Sequence, residues 1–188
     1  ITVVISGDRI SAVGRSGRVK VPKDAQVIDA SGKFLIPGLW DMHVHVDDAG
    51  SWMFPLFVAN GVVGVRDLGS RIQQIPVWKE MGRKDAIMPQ IVAAGPIVSG
   101  KIGDADPRMV LVGTRQEAIE AVDKLAAQGV NFIKVHDWVS REAYLGLIEK
   151  ARKINLPVVG HQPVSMRAEE ISNLGQKSVE HFGNAWGG

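Results

Sequence analysis

Hydrophobic and polar positions follow two rhythms along this chain. In residues 1–33 short β-branched runs stand between turn signals. ITVVIS is a strand candidate, Gly7-Asp8 a turn and RISAVG a second strand. A third strand is expected at Gln26–Asp29, between Pro22 and Gly32. The whole reads as a small antiparallel hairpin region without chemistry of its own. From Phe34 onward, apolar strands alternate with amphipathic helices. The strands are expected at Leu35–His45, Val62–Asp67, Gln90–Val98, Phe132–His136, Pro157–Gln162 and Ser178–His181. Ser70-Arg-Ile-Gln73 and Thr114-Arg-Gln-Glu117 both fit a capping box, in which side chains satisfy the first free amides of a helix. Ile119, Val122, Leu125 and Ala126 form one stripe at helical spacing, and Gly129 stops that helix. Tyr144, Ile148 and Ala151 mark the inner face of another, ending near Asn155.

Strands alternating with helices imply βα units and a parallel sheet. No GxGxxG or GxxxxGK[ST] loop follows any strand, so nucleotide binding has no local support. A (β/α)8 barrel fits better than an open doubly wound sheet, although it needs two more units than the chain supplies.

Composition changes this picture little. The 188 residues are 45% hydrophobic and 22% charged, as in ordinary globular proteins. Lys and Arg are scattered and the formal charge is only +2, so neither nucleic acid nor a membrane surface is expected as a partner. No apolar run reaches the roughly 20 residues of a membrane helix. The absence of cysteine excludes disulfides and thiolate metal sites. The sequence opens at Ile1 without a signal-like segment, and is expected to begin inside a domain. Localisation defaults to the cytoplasm, with export left open.

The chemistry lies in the histidines. His43 and His45 stand one residue apart on a strand, so their side chains share a face. His136, His161 and His181 each sit at or near the C-terminal end of a later strand, where parallel α/β folds build active sites. Lys134 shares a strand face with His136. Taken singly, each residue reads as packing or surface. Together, four imidazoles and a buried amine at one barrel mouth would repel as cations, and a metal removes that conflict by keeping the imidazoles neutral.

At this point a family resemblance is close. PGLWDMHVH, preceded by VIDASGKFLI, resembles the amidohydrolase superfamily, metal-dependent hydrolases with an HxH on the first strand of a (β/α)8 barrel. Its imidazolonepropionase-like and Xaa-Pro dipeptidase-like branch is the most similar. GVVGVRDLG, FIKVH, VVGHQ and SVEH resemble the second, fourth, fifth and sixth strand motifs. ITVVISGDRISAVG is similar to part of the family's small β-sandwich. The resemblance thus implies part of a sandwich in residues 1–33 and about six units of a TIM-type barrel in residues 34–188.

It also implies two divalent ions, zinc by preference. His43 and His45 would hold the more buried one, and His161 and His181 the second. Lys134 would carry a CO2-derived carbamate bridging both. The activity implied is hydrolysis of a C–N bond in a small amide, dipeptide or cyclic amide. A deaminase of the same superfamily and a catalytically silent scaffold are the alternatives. A homo-oligomer is allowed. His136, Asp137 and Trp138 are candidates for substrate contact, Gly100–Pro107 for a lid or wall, and Trp52 and Trp186 for the mouth or for packing. The family's eighth-strand aspartate, which accepts the water's proton, has no match, since Asp41 and Asp67 lie on earlier strands. The chain is therefore expected to be the N-terminal part of a longer enzyme and inactive alone.

Overall fold

The computed structural model describes residues 1–84, 86–101 and 106–181. By contact, the chain divides into Ile1–Pro37 and Gly38–Gly188. The first unit holds one antiparallel hairpin of β1 (Thr2–Ser6) and β2 (Arg9–Gly14), as the β-branched runs predict. The expected strand at Gln26–Asp29 is absent. Val27 and Ile28 are exposed with no sheet to join, and Asp29 accepts from the backbone amide and hydroxyl of Ser31, which closes a turn instead.

The second unit is a partial barrel. Its strands are β3 (Leu39–Val44), β4 (Val62–Asp67), β5 (Gln90–Ala93), β6 (Ile97–Gly100), β7 (Met109–Val112), β8 (Ile133–Val135) and β9 (Val158–Gly160). Its helices are α1 (Val46–Ala49), α2 (Phe54–Ala59), α3 (Gln74–Arg83), α4 (Arg115–Ala127), α5 (Arg141–Lys153) and α6 (Ala168–Leu174). All strand pairs here are parallel, in the orders β3-β4-β5 and β7-β6-β8-β9. Asn131 joins the two sheets: its amide donates to the Ala93 carbonyl and its side-chain oxygen accepts from the Ala93 amide. The wall then ends in a single parallel bridge between Gly160 and Val179.

Three expected elements come out differently. The run Gln90–Val98 is broken into β5 and β6, because Gly95 turns the backbone to φ 65° between them. The sixth strand shrinks to the bridge at Val179. The helix after β4 begins at Gln74 without a side-chain cap, not at Ser70, because Asp47 takes the Arg71 amide and draws this stretch into a loop. The strand β7 was not expected. By contrast, Thr114 and Glu117 form both halves of the capping box on α4, and α5 buries Tyr144, Ile148 and Ala151 as its spacing predicts.

Helices pack on the outer face of much of the wall, while Leu39, Trp40, Met42 and Val63 on β3 and β4 stay exposed. Val65, Ala93, Ile133, Val135 and Val158 pack with the buried faces of α3, α4 and α5. Leu68, Ala94, Phe132 and Val159 form a separate apolar cluster, joined by Val92. Strand alternation explains the two clusters: one residue in two points to the helices, and the next points inward. The inner face is the one that carries His43, Arg66, Lys134 and His161.

Candidate functional site

Strand alternation places most of the histidines. Val44 packs outward in the main core, so His43 and His45 point inward on either side of it. Val158 packs outward, so Val159 and His161 point inward. Val179 packs outward, which puts Ser178 and Glu180 inside. His181 would then face outward, but its backbone takes the left-handed value φ 54° and breaks the alternation. That conformation is uncommon for a residue with a side chain, and it brings the ring to its neighbours.

The rings form a continuous row. Centroids are 5.4 Å apart for His45 and His43, 4.4 Å for His43 and His181, 5.2 Å for His181 and His161, and 4.8 Å for His161 and His136. Chain segments far apart in sequence thus supply one imidazole cluster at the C-terminal strand ends. Lys134 belongs to the same inner face and is 1% exposed, and its Nζ has no hydrogen-bond partner among the described residues.

Three of the rings are anchored through Nδ1. His43 Nδ1 lies 3.0 Å from Glu180 Oε2, His45 Nδ1 3.2 Å from the Gly69 carbonyl, and His161 Nδ1 2.5 Å from Asp137 Oδ1. Among the described residues none of the three has a hydrogen bond at Nε2, the atom through which an imidazole anchored at Nδ1 would meet a ligand. Glu180 and its partner Arg66 were not singled out in the sequence. The signal available was their strand parity, which places both on the inner face.

Electrostatics favour the neutral forms of His43, His136 and His161. Burial lowers the pKa of His43, and the nearby Lys134 adds to the effect against Glu180. His161 is pushed down to about 4, first by burial and then by Lys134. Burial lowers His136 also. Lys134 itself falls to about 8, again chiefly by burial. Glu180 is held below the ordinary carboxylate range. Burial alone would raise it, and the Ser178 hydroxyl, Arg66 and His43 together outweigh that. Neutral imidazoles are the form that binds metal, and a lysine whose charge is disfavoured is the form that reacts with CO2. The donor set and the orphaned amine therefore fit the expected metals.

His136, Asp137 and His161 offer ligand atoms that all lie within 4.8 Å of one another, which makes them a candidate metal site. Asp137 is engaged with His161, and Trp138 is half-exposed just beyond. At the mouth, Arg71 grips Asp47 at 2.8 Å, while Arg108 holds both Asp106 and Asp48. Trp52 is exposed. Trp186 and residues 102–105 of the expected lid lie outside the described residues.

No protein-family model matches the chain. It is similar to the dihydroorotase of Geobacter metallireducens, 22% identical over 183 residues, which are 96% of this chain and 42% of that one. It is 50% identical to the dihydroorotase of Geotalea daltonii over 183 residues, covering 95% of this chain and 42% of the relative. Among solved structures, a prolidase complexed with N-methylphosphonate-L-proline superimposes with a TM-score of 0.76 at 20% identity, over 95% of this chain and 55% of that one. The chain is similar to members of the amidohydrolase superfamily. Its fold is that superfamily's TIM-type barrel in part, with the barrel not closed. The superfamily generally uses metal ions. The chain spans about 42% of the length of the dihydroorotases it matches.

Proposed function

We propose that this chain supplies the metal-binding part of a hydrolase that opens a C–N bond in a small amide, dipeptide or cyclic amide. One observation carries the reading: a row of five imidazoles beside a buried lysine amine that has no hydrogen-bond partner among the described residues. His43 and His45 would hold one divalent ion, zinc by preference, and His161 and His181 a second. Lys134, carboxylated by CO2, would bridge them. Two such ions, when bound, activate a water and polarise the scissile carbonyl. The chain's own residues orient the ligands, keep His43 and His161 unprotonated and exclude water from the amine. The aspartate that accepts the water's proton in this superfamily would come from elsewhere in the protein. Residues 1–33 are proposed as part of a small β-sandwich. His136 and Trp138 are proposed to meet the substrate.

Metal analysis of the full-length protein tests this. About two equivalents of zinc are expected, and Lys134→Met should lower that number. Labelling with 13C-bicarbonate should give a carbamate resonance that Lys134→Arg abolishes. Under half an equivalent in correctly folded protein would overturn the proposal. Dihydroorotate and proline-containing dipeptides, suggested by the relatives' names, are the first substrates to assay.

A further inference from the structure

Glu180 is a buried carboxylate outside the expected ligand set, and both of its oxygens are committed. Oε1 accepts from Arg66 Nη2 at 2.5 Å and from the Ser178 hydroxyl at 2.7 Å. Oε2 faces His43 Nδ1 at 3.0 Å. Arg66 is fixed in turn, because its Nε donates to the Met42 carbonyl at 2.7 Å and its Nη1 to Ser178 Oγ at 3.3 Å. The guanidinium therefore spans from β3 to the bridge at Val179 and leaves the carboxylate little freedom to swing. One oxygen is locked, and the other points at the imidazole.

This geometry has a chemical consequence. A carboxylate, which can only accept, set at Nδ1 favours the tautomer with its proton there, and this places the lone pair on Nε2. It also fixes the ring plane and makes the ring a better donor to a metal. We propose that Glu180, held by Arg66, is the positioning residue that sets His43 for metal binding. The inference rests on the metal-centre reading above and adds to it a residue that reading does not use.

The test is zinc binding to metal-stripped full-length protein by chelator competition, together with 15N-histidine NMR of the same metal-free samples. Glu180→Gln keeps the shape and removes the charge. It should weaken the affected zinc site 10–100-fold, the range typical of such outer partners, and shift His43 from the Nδ1–H form to a mixture of tautomers. Assignment comes from His43→Asn. Arg66→Lys, which keeps the charge but loses the fork, should move both readouts the same way by less, and serves if Glu180→Gln does not fold. Zinc affinity within twofold of wild type and an unchanged His43 tautomer would overturn the positioning role. Wild-type protein that binds no zinc would instead overturn the metal-centre reading.

Discussion

Gly160 shows how a single atom fixes the site. Its backbone lies at φ 129°, and a Cβ there would stand 2.3 Å from the Val135 carbonyl and 3.0 Å from Lys134 Cδ. Gly160→Ala should therefore cost about 2–4 kcal/mol through strain and displaced backbone. A drop in the melting temperature, with loss of zinc, checks it. The residue after this glycine is His161, so the close approach of β9 to β8 is what carries that imidazole to the cluster. At this scale the sequence was highly legible. His43, His45, His136, His161 and Lys134 could be placed on one face from strand parity and position, whereas His181 reaches it only because its φ of 54° breaks the alternation. The Nδ1 partners of the rings could not be picked, because Glu180 and Asp137 meet them across strand ends whose register the linear pattern does not encode.

Elements reveal a different balance. Thr114 accepts from the Glu117 amide while the Glu117 carboxylate accepts from the Thr114 amide, so Thr114→Ala should destabilise α4 by about 1 kcal/mol, measured by denaturant unfolding. A buried clamp joins α5 to the last strands. The Tyr144 hydroxyl donates to Gln176 Oε1 at 2.8 Å, and Gln176 Nε2 donates to the carbonyls of Gly160, His161 and Ser178. Tyr144→Phe leaves an acceptor without its donor and should cost about 1–3 kcal/mol, again by unfolding. Regular helices with local caps were readable, since their signals lie within a turn. The break at Gly95, the short β7 and the late start of α3 were not, because contacts to distant loops decide them.

For the molecule as a whole, pH is the informative variable. In metal-free protein, His43, His136 and His161 all titrate below the ordinary value of 6.5. The unfolded chain takes up these protons first, so their contribution is complete above about pH 6.5 and drains as pH falls toward about 4, the value for His161. Lys134 acts in the same direction at higher pH: its folded pKa of about 8 lies below the usual 10.5, so stability rises between those values. Thermal melts of stripped full-length protein should show a lower midpoint at pH 5 than at pH 7. A flat profile would contradict the assignment of neutral, buried rings.

Glu180 and His43 are 137 positions apart, yet they touch. Closing so long a span is entropically unfavourable, and the two proposed ions, one on His43 and His45 and the other on His161 and His181, linked through Lys134, would offset it. A nascent chain that has not yet emitted His181 holds only part of the grip. Ion capture would thus act as a clasp that snaps shut only when the segment carrying His181 has arrived.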